Sequence, residues 1–431
     1  MLHLAMMTQL LAAPLPLDVQ EHHLDNGLQV LTVRRMSAPT VSVQLWVRTG
    51  SRDERPGITG IAHLFEHMMF KGSKKLGPEE HARKVQGLGG QLNAYTSNDM
   101  TVYFENIAAQ HLDAILELEA DRFQSLALSD TMLASEREVV KEERRMRTDN
   151  NPVGKLVEAF ITTAYQTSNY RWPVIGYMED LGKITLDDCS AFYKAHYNPK
   201  NVTVILVGAL DHGDALAKVK THFGAWPAQK RPARSYTAEP APKKVRRKAV
   251  RFATQTPLLL GGWQIPAASD EDIPALQVLG QVLSGGMSSR LYRDLVYEKE
   301  MANYAAGDVW EFAGKGQFYL WASARPGVKI EAVEAAMIEA VEAVRAQGVT
   351  PEELDRARAQ VERDAVYALK RASGIASLLG RSLIYHGDWR PALHSLDKLK
   401  AVQAADVQRV ARRYLDPKVI TSVHLLPEAS P

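Results

Sequence analysis

Apolar residues along this 431-residue chain fall into blocks that occur twice. In the first half, VSVQLWVRTG (41–50) predicts a strand and HLFEHMMF (63–70) the body of a helix. The Gly-rich stretch GGQLNAYTSNDMTVYFENI (89–107) predicts a pair of strands, followed by long helices. The second half runs in the same order: LLLGGWQIP (258–266), ALQVLGQVLSGGMSSRLYRDL (275–295), NYAAGDVWEFAGKGQFYLWASA (303–324), then helices from Val328 onward. A shift of 214 residues sets Gly286 under Gly72 and apolar Val278, Leu279, Val282 and Leu283 under Leu64, Phe65, Met68 and Met69. An internal repeat of this length predicts a duplicated α+β unit: two homologous sandwich-like domains, each a largely antiparallel sheet backed by helices.

Between the halves, residues 226–248 (WPAQKRPARSYTAEPAPKKVRRK) are rich in Pro, Ala and charge and lack an apolar period. They divide the chain into a first domain over 15–225, a solvated connector over 226–248, and a second domain over 249–431. A net charge of +2 and a composition of 45% hydrophobic and 24% charged residues describe an ordinary globular protein. Neither nucleic acid nor an acidic membrane is indicated as the main partner, and KKVRRK reads as part of the connector. No run reaches the roughly 20 apolar residues of a membrane span. The single cysteine, Cys189, excludes an intrachain disulfide and reads as a small buried thiol. The first 14 residues are apolar and end in small residues, as a signal peptide does, but lack its basic start. The compartment, bacterial cytoplasm or periplasm, stays open.

Candidate chemistry concentrates in the first copy. On a helix, His63 and His67 lie about 40° apart on one face, so both imidazoles can converge on one tetrahedral ion. Glu66 falls about 60° to the other side of His63, placed to reach water beside such an ion. Paired histidines also recur by chance on amphipathic helices. Under the 214-residue shift, Gln277, Gly280 and Gln281 replace His63, Glu66 and His67. The scaffold was copied without its polar triad, which points to chemistry in the first half alone. A third ligand is available in SEREVVKEERRMR, where Glu136 and Glu143 project within about 20° of each other. One of them can ligate while the other holds a histidine N–H. A solvated charged helix, with Arg137, Lys141 and Arg144 as partners, is the alternative.

The inverted motif HLFEH, with the last Glu of EREVVKEE 76 residues beyond it, strongly resembles the pitrilysin/insulinase family of zinc peptidases, which includes the mitochondrial processing peptidase and small two-domain bacterial relatives. LDNGLQV, GITGIAHLFEHMMFKGS, GGQLNAYTSNDMTVYF, HYNPKNVTVILVG and GMSSRL extend the resemblance over nearly the whole chain. It implies a zinc endopeptidase in which His63, His67 and Glu143 ligate one zinc ion, Glu66 is the general base, and Glu136 is an additional acidic residue near the site. It further implies that GGQLNAYTSNDMTVYF is an edge strand pairing with an extended peptide, with Asn93 and Ala94 meeting substrate and Tyr103 lining the site.

One family element does not match. An Arg and a Tyr seven apart follow SRL in relatives, where they hold substrate and the developing oxyanion. Here Tyr304 can supply the tyrosine, but Tyr297 stands seven residues before it, and a gapless reading gives Val296 and Asn303. Arg290 belongs to the SRL segment itself. The expectation is therefore the zinc-bearing subunit of a heterodimer, whose homologous partner supplies the Arg/Tyr pair around a closed chamber. A non-catalytic scaffold subunit of the same fold is the other reading, against which the intact HLFEH and Glu143 argue.

Overall fold

A computed structural model of the chain describes residues 15, 17–230, 233–234 and 236–428, so the signal-peptide expectation for residues 1–14 lies outside the described residues. The first sheet contains β1 (Val19–His23), β2 (Gln29–Arg34), β3 (Thr40–Val47), β4 (Gln91–Thr96), β5 (Thr101–Ala108) and β6 (Val202–Gly208), in the order β1-β2-β6-β3-β5-β4. The second contains β7 (Arg246–Phe252), β8 (Leu258–Ala267), β9 (Ala302–Trp310), β10 (Lys315–Ala324) and β11 (Thr421–Pro427), in the order β7-β11-β8-β10-β9. In each sheet one pair is parallel, β2 with β6 and β7 with β11, and every other pair is antiparallel. Removing β1 makes the two orders equivalent strand for strand. The duplication read from the sequence is thus a duplication of topology, and the fold is α+β.

What the sequence does not announce is an exchange of helices. One face of the first sheet packs on its own half: Val41, Val43, Leu45 and Tyr103 lie against Ile61, Leu64, Phe65 and Phe123. The other face is covered from the second half, where Ile375, Leu379 and Leu383 of helix Ala372–His386 bury Trp46, Val102 and Ile205. These helix positions are four apart, and Gly387, at a φ of 73°, ends the helix in the left-handed conformation. The loan is returned by helix Pro152–Ala164, whose Leu156 and Phe160 pack on Leu258, Leu260, Val423 and Leu425 of the second sheet.

The halves are also pinned at their hairpin tips. Asp99, in the β4–β5 turn, accepts from Arg52 Nη1 at 3.0 Å, from the Tyr170 hydroxyl at 2.8 Å and from the Ala313 amide of the β9–β10 turn at 2.9 Å. The connector is mostly exposed, as its composition predicts, but departs from a plain linker in two places. Arg246–Lys248 already belong to β7, and Glu239 is buried because its carboxylate collects the amides of Gln166, Thr167 and Ser168. Satisfying three backbone donors at once offsets the desolvation of that charge. Cys189 is buried as expected, and burial pushes its thiol up to about 12.

The HYNPKN turn is tied to the end of β3 by His196, whose Nδ1 lies 2.9 Å from Thr49 Oγ1, and by Asn201, which donates to Thr49 Oγ1 and to the His196 carbonyl. Burial, aided by the charge of Arg234, pushes His196 down from 6.5 to about 4. The folded ring stays neutral where the unfolded one takes a proton, so stability present above pH 6.5 is lost as pH falls toward 4. The loss amounts to about 1.4 kcal/mol per pH unit. Comparing unfolding free energies at pH 7 and 5, His196→Gln is expected to reduce the acid-induced loss by about 2 kcal/mol.

Candidate metal centre

The helix Ile61–Met68 sorts its residues by face. Ile61, Ala62, Leu64, Phe65 and Met68 are buried, while His63, Glu66 and His67 emerge on the opposite side. Its first residue follows Gly60, which offers no side chain to cap the amides at the start of the helix. Glu54 supplies that cap from a distance, accepting from the Gly60 and Ala62 amides at 2.8 and 2.9 Å. It is 5% exposed, and burial holds its carboxyl well above the usual carboxylate range. Glu54→Ala strands two amides, so it is expected to cost about 1–2 kcal/mol in denaturant unfolding. The same change should weaken zinc binding several-fold in a chelator-competition titration, because it loosens the start of the helix that carries both histidines.

Helix Asp130–Arg144 crosses this one and brings two carboxylates to the histidines. Glu143 Oε2 lies 3.3 Å from His67 Nε2 and 3.7 Å from His63 Nε2. Side chains of His63, His67 and Glu143 offer three ligand atoms that all lie within 4.8 Å of one another. Two ligands each about 2.0–2.1 Å from a tetrahedral zinc are separated by about 3.4 Å, close to the distances found. The two carboxylate–imidazole spacings therefore suit a tetrahedral zinc. Of the two carboxylates that the sequence left as alternatives, Glu143 faces both rings. Glu136 approaches the rear of one of them, with Oε2 3.6 Å from His67 Nδ1.

The surroundings push the two rings in opposite directions. Burial and the neighbouring His67 push His63 down to about 4. For His67, burial works against charge, but hydrogen bonding to Glu136 and Glu143 prevails and raises it to about 9. The hydrogen bond from His67 holds Glu143 below the usual carboxylate range; Glu136 is likewise lowered, His67 and Lys71 outweighing the burial that opposes them. Glu66 behaves differently. Burial raises it, against the hydrogen bond that its Oε2 accepts from Thr96 Oγ1 at 2.6 Å. A carboxylate raised in this way, one oxygen fixed and the other unengaged by a hydrogen bond among the described residues, is suited to proton transfer.

Three further residues take part that sequence reasoning did not single out. Thr96 orients Glu66 from β4. Lys71, one turn beyond His67, donates to Glu136 Oε1 at 3.0 Å and holds the carboxylate that faces His67. Arg147, one turn beyond Glu143, contacts Glu143 Oε1 at 2.8 Å. The usable signal for both cations was i,i+4 spacing from a ligand.

Asn93 and Ala94 sit on β4, the last strand of its sheet, whose outer edge pairs with no strand among the described residues. Tyr103 does not line the site: it is 0% exposed, its ring packs on Phe123, and its hydroxyl lies 2.7 Å from that of Tyr197. The register of β5 explains this, because Tyr103 points into the core beneath the metal helix while Val102 and Phe104 take the other face. Tyr304 is 55% exposed on β9, the edge of the other sheet, beside Gly280 and Gln281 and apart from the histidine cluster. Those residues lie on helix Ile273–Ser284, the copy of the metal helix, where Gln277 donates to Glu311. Arg290 is committed to Glu353 through a two-pronged pair at 2.7 Å, a structural role. No helix among the described residues is long and apolar enough to cross a membrane.

Residues 29–176 match the family model described as insulinase (peptidase family M16), and residues 183–361 match the one described as the peptidase M16 inactive domain. The chain is 33% identical to the zinc protease PqqE of Helicobacter pylori over 94% of this chain and 92% of that protein. It is 31% identical to an uncharacterised zinc protease of Mycobacterium leprae over 92% of this chain and 89% of the other. The crystal structure of a protease from Helicobacter pylori superposes with a TM-score of 0.92 at 32% identity, covering 95% of this chain and all of that one.

Proposed function

The chain belongs to the insulinase family of peptidases (M16), and on that footing we propose that it is a zinc-dependent endopeptidase acting on extended or unfolded peptides. The observation that carries this reading is the convergence of His63, His67 and Glu143 on one point, with Glu66 beside them and outside the ligand set. His63, His67 and Glu143 hold the ion. Zinc in such a site supplies Lewis acidity toward water and toward a carbonyl oxygen.

The chain's own residues do the rest. Glu66 accepts the proton of the attacking water and passes it to the leaving amine; Thr96 keeps the carboxylate aimed while it does so. Glu136, held by Lys71, fixes the tautomer and tilt of His67. The open edge of β4 pairs with substrate backbone, with Asn93 and Ala94 at the contact, and such pairing selects peptides that are already extended. The second half, with Gln277 and Gln281 in place of histidines, contributes architecture. A homologous partner chain supplies the Arg/Tyr pair that is absent after SRL, so the working enzyme is a heterodimer.

Quenched-fluorescence peptides test this with the chain alone and mixed with a homologous partner, with and without chelator. Hydrolysis that needs the partner and disappears with chelator is expected. Cleavage insensitive to chelator, or a chain that takes up no zinc, overturns the peptidase reading. Equal rates with and without every partner overturn the heterodimer alone.

A further inference from the structure

Among the cations near the metal cluster, Arg147 is the one whose position the cluster's own needs do not explain. It contacts Glu143 Oε1, the oxygen turned away from the histidines, so it does not compete for the ligand position on Oε2. Its side chain is 73% exposed whereas that of Glu143 is 12% exposed. An exposed i,i+4 ion pair contributes only about 0–1 kcal/mol, too little to make stability its purpose. Neighbouring cations on the same helix face outward to other acids: Lys141 pairs with Glu138 and Arg145 with Glu142, each at 2.8 Å.

The backbone beneath Arg147 is built with unusual care. Helix Asp130–Arg144 gives way there to a π-helical turn, Arg145–Asp149, a rare geometry that recurs at functional sites. Buried Arg144 anchors the turn, donating to the Gly176 carbonyl at 2.7 Å and pairing with Glu158 at 2.9 Å. Gly154 lies so close that a Cβ at this position would collide with the Arg147 carbonyl oxygen. A rigid backbone thus presents a guanidinium at the rim of the metal site. One of its five N–H donors is engaged by Glu143, and the 73% exposure of the side chain leaves the others accessible to solvent.

We propose that Arg147 anchors substrate: its free N–H groups donate to an acceptor oxygen of the extended peptide paired on β4. This deepens the peptidase reading and rests on it. The acceptor is an oxygen of the peptide, either a backbone carbonyl or a carboxylate, both of which a guanidinium fork accommodates. The residue gives the isolated chain a substrate contact of its own, before any partner adds an arginine.

Zinc-loaded Glu66→Gln protein holds peptide without cutting it and serves as the background. Peptide Kd is measured by fluorescence anisotropy for an extended Glu-containing peptide and for its Gln-substituted, C-terminally amidated counterpart. Zinc affinity is measured separately by chelator competition. Adding Arg147→Met is expected to weaken peptide binding about tenfold, with partial recovery in Arg147→Lys and zinc affinity unchanged within about twofold. Loss confined to the Glu peptide identifies a carboxylate acceptor; equal loss on both identifies a backbone carbonyl. Unchanged peptide Kd, or binding that excess zinc restores, overturns the proposal, because Arg147 then acts only on Glu143. A background protein that binds zinc but no peptide overturns the proposal alone, because the peptidase reading is tested separately by chelator-sensitive hydrolysis with the partner present. Since Arg147 is exposed, loss of folding does not confuse these outcomes.

Discussion

Glu66→Gln is expected to leave zinc bound in full and to lower kcat by about 10²–10⁴-fold. Glu66 stands outside the group of ligand atoms formed by His63, His67 and Glu143, so the cradle keeps its donors. Glutamine has the same shape, and its carbonyl oxygen can still accept from Thr96, which preserves the local geometry. What it cannot do is take a proton. Metal analysis of the purified variant and a quenched-peptide assay read the two properties separately. Loss of zinc from the variant would show that Glu66 ligates. A fall in kcat of less than tenfold would show that another group takes the proton.

The largest expected effect on stability lies outside the site. Gly380 faces the Trp46 indole so closely that a single added methyl would overlap the ring. Neither side can yield: Trp46 is 1% exposed, its Nε1 donates to Gln44 at 2.9 Å, and Gln44 is held by the Ser373 carbonyl of the same helix. Gly380→Ala is therefore expected to destabilise by about 3 kcal/mol, the upper end of overpacking penalties. The control is Gly182→Ala, on an exposed helix position with nothing within 4 Å, which is expected to be neutral or to stabilise by up to about 1 kcal/mol. Denaturant midpoints of the two variants give the comparison. If Gly380→Ala matches the control, the exchanged helix is not tightly seated on the first sheet.

Local patterns carried much of this architecture. The histidine pair and the acidic pair Glu136 and Glu143 could be read because helix spacing is a local property, and the glutamines of the second copy because the repeat keeps its register; the preference for Glu143 over Glu136 came from the family resemblance. The duplication followed from finding the same blocks twice, while the strand order, with its one parallel pair per sheet, did not. Tyr103 was expected at the site from the family resemblance; its sheet is covered on both faces, so apolar residues alternate with apolar residues and period two could not have assigned it to the core. The helix exchange was illegible for a related reason. An apolar stripe on Ala372–His386 declares that the helix is buried, and nothing in the stripe declares which sheet it covers. Thr96 acts on the site through one contact, and a single polar residue on a strand carries no pattern; Lys71 and Arg147 carried only their i,i+4 spacing from a ligand, which ordinary surface ion pairs share.

The open edge of β4 carries a cost of its own, whatever it pairs with. Unpaired N–H and C=O groups along a strand accept any extended chain, including the edge of another copy, which is how ordered aggregates start. The sequence blunts the hazard: β4 has only six residues, and its exposed positions include Gln91 and Asn93. Short length and polar side chains favour transient pairing over growth of a continuous sheet. An enclosed chamber would go further, hiding the edge from everything except what fits inside, so that it would guard the chain against self-association as much as folded proteins against the chain.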